Sequence, residues 1–158
     1  MTKDTTPRDP AQTLAQNSVN DEKYPAFARF DPLAIARGFP ASADTLLLDR
    51  YLTNEPGSSA RVFRVYRGTP AHYHEGSDEY LYVLCGRGTF WMNDPSDLRE
   101  FRPGDLLFFR RRIVHALPDM LEEPIAFLSV DAPRRDPKDI VFVDPKDGTP
   151  ESFIGRAY

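Results

Sequence analysis

The sequence predicts an all-β domain, and three observations carry that prediction. Short segments rich in β-branched, aromatic and leucine residues recur through the middle of the chain; Gly, Pro, Asn and Asp separate them; and no long stretch shows the period of an amphipathic helix. The strand candidates are Leu46 to Leu48, Val62 to Tyr66, Tyr80 to Leu84, Thr89 to Met92, Leu106 to Phe109, Ile125 to Val130 and Asp139 to Val143. Many short strands at regular spacing argue for a β-sandwich or a barrel. A length of 158 residues suits one domain around a single core.

The segments before the first strand read differently. Residues 1–23 are rich in Thr, Asp, Gln and Asn with almost no large apolar side chain, so a flexible or loosely helical N-terminal arm is expected. Asp31 to Gly38 spells one short helical turn: Asp31 caps it, Pro32 takes the first helical position and Gly38 ends it. The barrel is expected over 24–145, followed by a C-terminal tail over 146–158. From Asp131 onward the chain becomes rich in Pro and Asp.

Composition removes several classes of function. The net charge of −4 is mild and mixed, which offers nothing for nucleic acid or an anionic membrane surface. No apolar run reaches membrane-spanning length, and the polar N-terminus lacks the apolar core of a secretion signal. One cysteine, Cys85, cannot form an internal disulfide, so a reducing cytoplasm is the expected compartment. The N-terminal arm is too short and too polar for a helix-turn-helix, which argues against a fused DNA-binding regulator.

The three histidines carry the chemistry. His72 and His74 are one residue apart, Glu79 follows five residues later, and His115 lies some forty residues downstream. On an extended strand, a His-x-His pair points both imidazoles to one face. Three imidazoles and a carboxylate form a ligand set for a first-row transition metal. Glu75 and Asp78 compete with Glu79 for the carboxylate role; Glu75-Gly76-Ser77 reads as the turn between two strands.

These residues resemble the first motif of the cupin superfamily, G(X)5HXH(X)3,4E(X)6G. His72-Tyr73-His74, four residues, Glu79, six residues and Gly86 match everything after the leading glycine; Gly68 stands too close to His72, so the turn there is shortened. Spacing to Gly86 favours Glu79 as the motif carboxylate. The second motif matches in part: Arg102-Pro103-Gly104-Asp105 supplies its turn and His115 its ligand, whereas Asp119 replaces the closing asparagine. The resemblance covers residues 58–131, about half the chain. It implies a cupin double-stranded β-helix, that is, a jelly-roll barrel with short helical turns and an N-terminal arm.

The resemblance also implies a function. Small cupins with the full set His72, His74, Glu79 and His115 are similar to dioxygenases, sugar isomerases and lyases, in that order of plausibility. Leu81 stands where sulfoniopropionate lyase cupins carry a tyrosine, which argues against the lyase. The reading is an Fe(II)- or Mn(II)-dependent oxygenase of the dioxygenase type, acting on a small carboxylated or hydroxylated compound. Zn(II) or Ni(II) would instead suit Lewis-acid chemistry, and the alternatives are a metal-dependent isomerase or a non-catalytic small-ligand or metal-binding module.

Four further expectations concern the surroundings of the metal. Strand parity sets Leu81, Val83 and Cys85 on the face of Glu79, with Tyr80, Tyr82 and Leu84 opposite. Cys85 is expected to be an inert core thiol. Arg110, Arg111 and Arg112, just before His115, are candidates to meet a substrate carboxylate or phosphate, against the simpler reading of a solvated charged loop. Among Arg61, Arg64 and Arg67, parity leaves open which turns inward. The resemblance implies a homodimer, with Tyr24 to Phe30 as a candidate exchanged arm.

Overall fold

The structure, a computed structural model, describes residue 24 and residues 27–156. The expected arm over 1–23 lies outside the described residues, as do Pro25 and Ala26 of the aromatic segment and the last two residues of the expected tail.

Among the described residues one short helix precedes the strands. α1 (Pro32–Arg37) begins at Asp31, whose side chain accepts a hydrogen bond from the Ala34 N–H, and it ends at Gly38. Ten strands follow: β1 (Leu47–Glu55), β2 (Ser58–Val65), β3 (Thr69–Tyr73), β4 (Asp78–Met92), β5 (Arg99–Phe101), β6 (Leu106–Phe109), β7 (His115–Leu117), β8 (Met120–Ala132), β9 (Val141–Phe142) and β10 (Ile154–Arg156). A 3-10 turn (Pro145–Asp147) and α2 (Pro150–Phe153) stand between the last two. Among the described residues no helix is long and apolar enough to cross a membrane.

The strands form one curled sheet in the order β10-β1-β2-β8-β4-β7-β3-β9, with β5 and β6 also pairing to β4. This is the all-β double-stranded β-helix architecture that the resemblance implied. β4 makes the curl. Its first half lies between β8 and β6, and its last residues pair with β5 and then β7, so one strand joins both walls of the barrel. The sequence had suggested two strands here, at 80–84 and 89–92, because Gly86 and Gly88 interrupt the pattern. They are instead a bend within one strand: the pairing of β4 with β8 shifts register repeatedly between Val83 and Gly88. Gly86 has φ +81°, and a Cβ there would run into the carbonyl oxygens of Glu122 and Pro124.

The bend also corrects the parity reading. Glu79, Leu81 and Val83 are buried and Tyr80 and Tyr82 exposed, as alternation requires. The register shift then turns Cys85 out of the stripe, and it packs half-buried with Leu84 against α1. Burial pushes its thiol pKa up, so it is a packing residue.

Two apolar clusters hold the fold. The inner one fills the barrel with Phe63, Val65, Leu81, Val83, Phe101, Phe109, Ile125 and Phe127 among others. The second lies on the outer face, where Ala36 and Phe39 cover Leu52, Val62 and Ala126. The segment expected as a tail contributes to the inner cluster: Phe153 is buried there, and β10 pairs parallel with β1 through Leu47–Ile154 and Leu48–Gly155.

Candidate metal centre

The sheet brings the three histidines together from distant parts of the chain. His72 lies in β3 directly opposite His115 of β7, and His74 follows at the end of β3. All three are buried. Their rings cluster with centroids 4.5 Å (His72–His115), 5.3 Å (His72–His74) and 5.4 Å (His74–His115) apart. One ligand atom from each lies within 4.8 Å of the others, a separation that fits one metal ion.

The backbone sets the tautomers. Nδ1 of His72 bonds the Pro70 carbonyl at 2.8 Å, Nδ1 of His115 the Ile113 carbonyl at 2.9 Å, and Nδ1 of His74 the Asp139 carbonyl at 2.6 Å. A carbonyl only accepts, so each Nδ1 carries the proton and each Nε2 of a neutral ring keeps a lone pair. Such Nδ1–H···O=C bonds are the usual outer support of metal-bound imidazoles. Nε2 of His115 is buried without a hydrogen-bond partner, which is costly unless something with positive charge meets it. Burial, and then the neighbouring His115 and His74, hold the His72 pKa well below the usual imidazole range, so His72 is neutral and able to ligate.

Glu79 adjoins the histidines without standing symmetrically among them. Its Oε2 lies 3.3 Å from His74 Nε2 and 3.6 Å from His115 Nε2, while its Oε1 is held at 3.3 Å by both Arg61 and Arg135. One oxygen is thus tied to guanidinium groups and the other faces the imidazoles. Burial works to raise the Glu79 pKa, but His74, His115 and Arg61 outweigh it and hold the carboxyl well below its usual range. For His74 burial works downward, and the Glu79 charge reverses it, raising the pKa. Two groups that attract a proton between them also attract a metal cation there.

Beneath the histidines lies a buried ionic network that the sequence showed only in fragments. Of the three arginines on or beside β2, Arg61 turns fully inward and reaches Asp49 at 3.2 Å, Glu79 at 3.3 Å and Asp131 at 3.6 Å. Arg135, after β8, reaches Glu79 and also Asp131 at 3.6 Å. Its Nη1 lies 2.7 Å from His74 Nε2 and 3.2 Å from Nδ1. Such similar distances place the guanidinium beside the ring rather than along the Nε2 lone pair, whose outward line leads away from Nδ1. Three buried acids, Asp49, Glu79 and Asp131, thus face two buried arginines beneath the histidines. Burial, only partly offset by Arg61, pushes the Asp131 pKa up to about 7.

Arg135, Asp49 and Asp131 escaped the sequence reading. The available signal was a charged residue on the inward stripe of a strand: Asp49 and Asp131 each occupy an alternate position among apolar neighbours. Arg110, Arg111 and Arg112 are exposed and stand apart from the histidines' cavity. Arg111 pairs with Asp78 at 2.9 Å and lowers its pKa to about 2, and Arg112 pairs with Glu75 at 3.0 Å. Both competing carboxylates are thereby engaged at the surface, whereas Glu79 is buried beside the imidazoles.

The cavity beside the histidines is small, about 20 Å³, and is lined by His72, His115, Glu79, Arg61, Leu81 and Phe153, among others. That is room for little more than one water. Arg135 also borders a larger cavity of about 240 Å³, with Tyr24, Tyr51, Asn54, Arg134, Asp136 and Pro137.

Comparison with known proteins agrees with this architecture. A family model described as "Cupin domain" matches residues 62–131, a span that includes all three histidines and Glu79. Similar solved structures include KdgF from a Halomonas species (22% identity, 58% of this chain and 82% of that one, TM-score 0.52). A Klebsiella pneumoniae protein with a double-stranded β-helix domain is similar too (17%, 63% and 87%, TM-score 0.54). So is a candidate mannose-6-phosphate isomerase from Ralstonia eutropha (21%, 66% and 97%, TM-score 0.56). No curated protein matches the sequence. The chain carries a match to the cupin domain over residues 62–131 and shares the double-stranded β-helix fold of these structures, and its three histidines are placed so that they could hold a metal ion.

Proposed function

We propose that the protein is a divalent-metal cupin enzyme, with His72, His74, His115 and Glu79 as ligands and Fe(II) or Mn(II) as the favoured metal. One observation carries this reading. Three imidazoles, each proton held on Nδ1 by a backbone carbonyl, turn their Nε2 atoms toward one buried point. Three imidazole nitrogens with a single carboxylate oxygen suit a divalent first-row metal such as iron or manganese, and four ligands leave two octahedral positions open. Bound there, such a metal would supply Lewis acidity and, for iron or manganese, access to dioxygen.

The chain's own residues do the rest. Arg61 and Arg135 hold Glu79 Oε1, so only Oε2 is presented to the centre, as a single-oxygen ligand. Leu81, Phe109 and Phe153 wall the site against bulk water. The reaction favoured is oxygenation of a small carboxylated or hydroxylated compound. The 240 Å³ cavity beside Arg134 and Arg135 is the approach best suited to a carboxylate, in place of the loop at Arg110 to Arg112.

Elemental analysis of untagged protein, beside the His72→Ala and Glu79→Ala variants, tests the reading. Near-stoichiometric iron or manganese that both substitutions remove, followed by substrate-dependent oxygen uptake, is expected. Zinc alone, with no oxygen uptake across a panel of small acids, would shift the assignment to Lewis-acid chemistry such as isomerisation. Failure of the parent to bind any divalent metal would overturn it.

A further inference from the structure

The three imidazoles are not held in the same way. His72 and His115 face each other across the β3–β7 ladder, and each is braced by the carbonyl two residues before it, Pro70 and Ile113. Their orientation therefore comes with their own strands. His74 stands just past the end of β3, which closes at Tyr73. Its carbonyl accepts from the Arg112 N–H at 2.7 Å, which fixes the peptide but leaves the ring free to turn. The ring is held from elsewhere: its Nδ1–H donates to the carbonyl of Asp139, 65 residues further along the chain, at 2.6 Å.

Asp139 grips this corner a second time, through its side chain. Oδ1 accepts the Glu75 N–H at 2.7 Å and Oδ2 the Gly76 N–H at 3.0 Å. Both donors belong to the turn that carries the chain from β3 into β4. Hydrogen bonds to an ionised carboxylate are stronger than neutral ones, so the turn is firmly tied. One residue thus fixes the ring with its carbonyl and the backbone just after the ring with its carboxylate. Asp139 is itself anchored. Its N–H bonds to the Asp136 carbonyl at 2.8 Å, Ile140 beside it is buried in the inner cluster, and β9 then pairs with β3 at His72–Phe142 and Tyr73–Val141.

This carboxylate is a support and not a ligand. Both of its oxygens are taken by amides, and among the described residues the group placed to hold a metal consists of the three histidines. Asp139 also lies beyond residues 62–131, the span that matches the cupin domain. We propose that Asp139 is the positioning residue for His74. Through carbonyl and carboxylate together it sets the third imidazole, so metal affinity depends on a side chain that never touches the metal. The proposal rests on the metal reading above and adds to it. Two imidazoles are set by the ladder they stand on, and the third by a segment folded in from the C-terminal side.

Two measurements on the full chain test this, with zinc as the metal probe. Proton–nitrogen correlation spectra of the histidine rings, taken on metal-free protein, report the tautomer and surroundings of each ring. Asp139→Ala is expected to alter the His74 signals and to leave those of His72 and His115, whose bonds are local, in place. Zinc affinity, read by competition with a chelator, should fall about 10- to 100-fold, as it does when a ligand loses its outer support. Asp139→Asn keeps one acceptor oxygen and should recover part of both effects; it decides by the same measurements if Asp139→Ala melts early. Unchanged His74 signals, or all three rings shifting alike, would overturn the proposal. So would an unchanged zinc affinity in a variant of a parent that binds. A parent that binds no divalent metal, while Asp139→Ala still moves the His74 signals alone, strikes the metal reading and leaves the hold on His74 standing.

Discussion

His72 and His115 face each other across the β3–β7 ladder, and each donates its Nδ1 proton to the carbonyl two residues before it, Pro70 and Ile113 respectively. The same local bond, made on two neighbouring strands, leaves two lone pairs aimed into the barrel. Strand pairing thus both gathers the imidazoles and selects their tautomer.

Loss of either ring should therefore abolish tight metal binding. His72→Ala and His115→Ala are each expected to lower affinity at least 100-fold, read by competition with a chelator. A metal at 100 times its dissociation constant adds about 2.7 kcal/mol to the parent's stability. Differential scanning with and without metal should show that increment in the parent and lose it in both variants.

Arg61 is the counter-ion of three buried acids, so its removal should cost far more than the loss of a surface charge. Arg61→Met leaves Asp49, Glu79 and Asp131 with less compensation, at a cost of about 3–5 kcal/mol in urea unfolding. Arg61→Lys should recover only part of this, since an ammonium cannot fork toward several carboxylates at once.

The metal-free protein should lose stability as pH rises from about 4 to 7, through Asp131. Its folded-state pKa of about 7 lies above the unfolded value of 3.8, so the unfolded chain releases its proton first and deprotonation favours unfolding. The contribution is whole below the unfolded pKa and lost through the folded one. Asp131→Asn should flatten this part of the profile. Urea midpoints at pH 5 and pH 7.5 that differ as much in the variant as in the parent would refute the assignment.

Phe153 closes the histidine cavity from the C-terminal segment, its ring centroid 5.1 Å from that of His72. Phe153→Ala should destabilise the protein by about 3–5 kcal/mol, as core phenylalanine truncations do. It should also speed metal loss to a chelator, because water gains the space the ring vacates. Stopped-flow chelation of the loaded protein measures that rate.

Much of the fold could be read along the chain. The helical turn at 32–37 and the strand at 106–109 lie where the sequence placed them, because caps and turn residues act locally. The 15-residue β4 was not legible: Gly86 signals a break, and only its neighbours on β8 show that the strand bends rather than ends. The parity of Leu81 and Val83 held up to that bend and failed at Cys85 beyond it.

The sequence by itself determined the all-β architecture and the spacing of the three histidines, since each depends on residue type and spacing within one or two strands. Only the tertiary structure decided what surrounds them. Asp49, Arg61 and the pair Asp131 and Arg135 come from three separate stretches, and each looks like an ordinary charged residue in its own. Pairing of β2 with β1 and β8 turns Arg61 inward toward Asp49 and Asp131, and pairing of β8 with β4 sets Asp131 opposite Glu79. Charges buried together in a low-dielectric interior must compensate one another, and that requirement becomes visible only once the chain has folded.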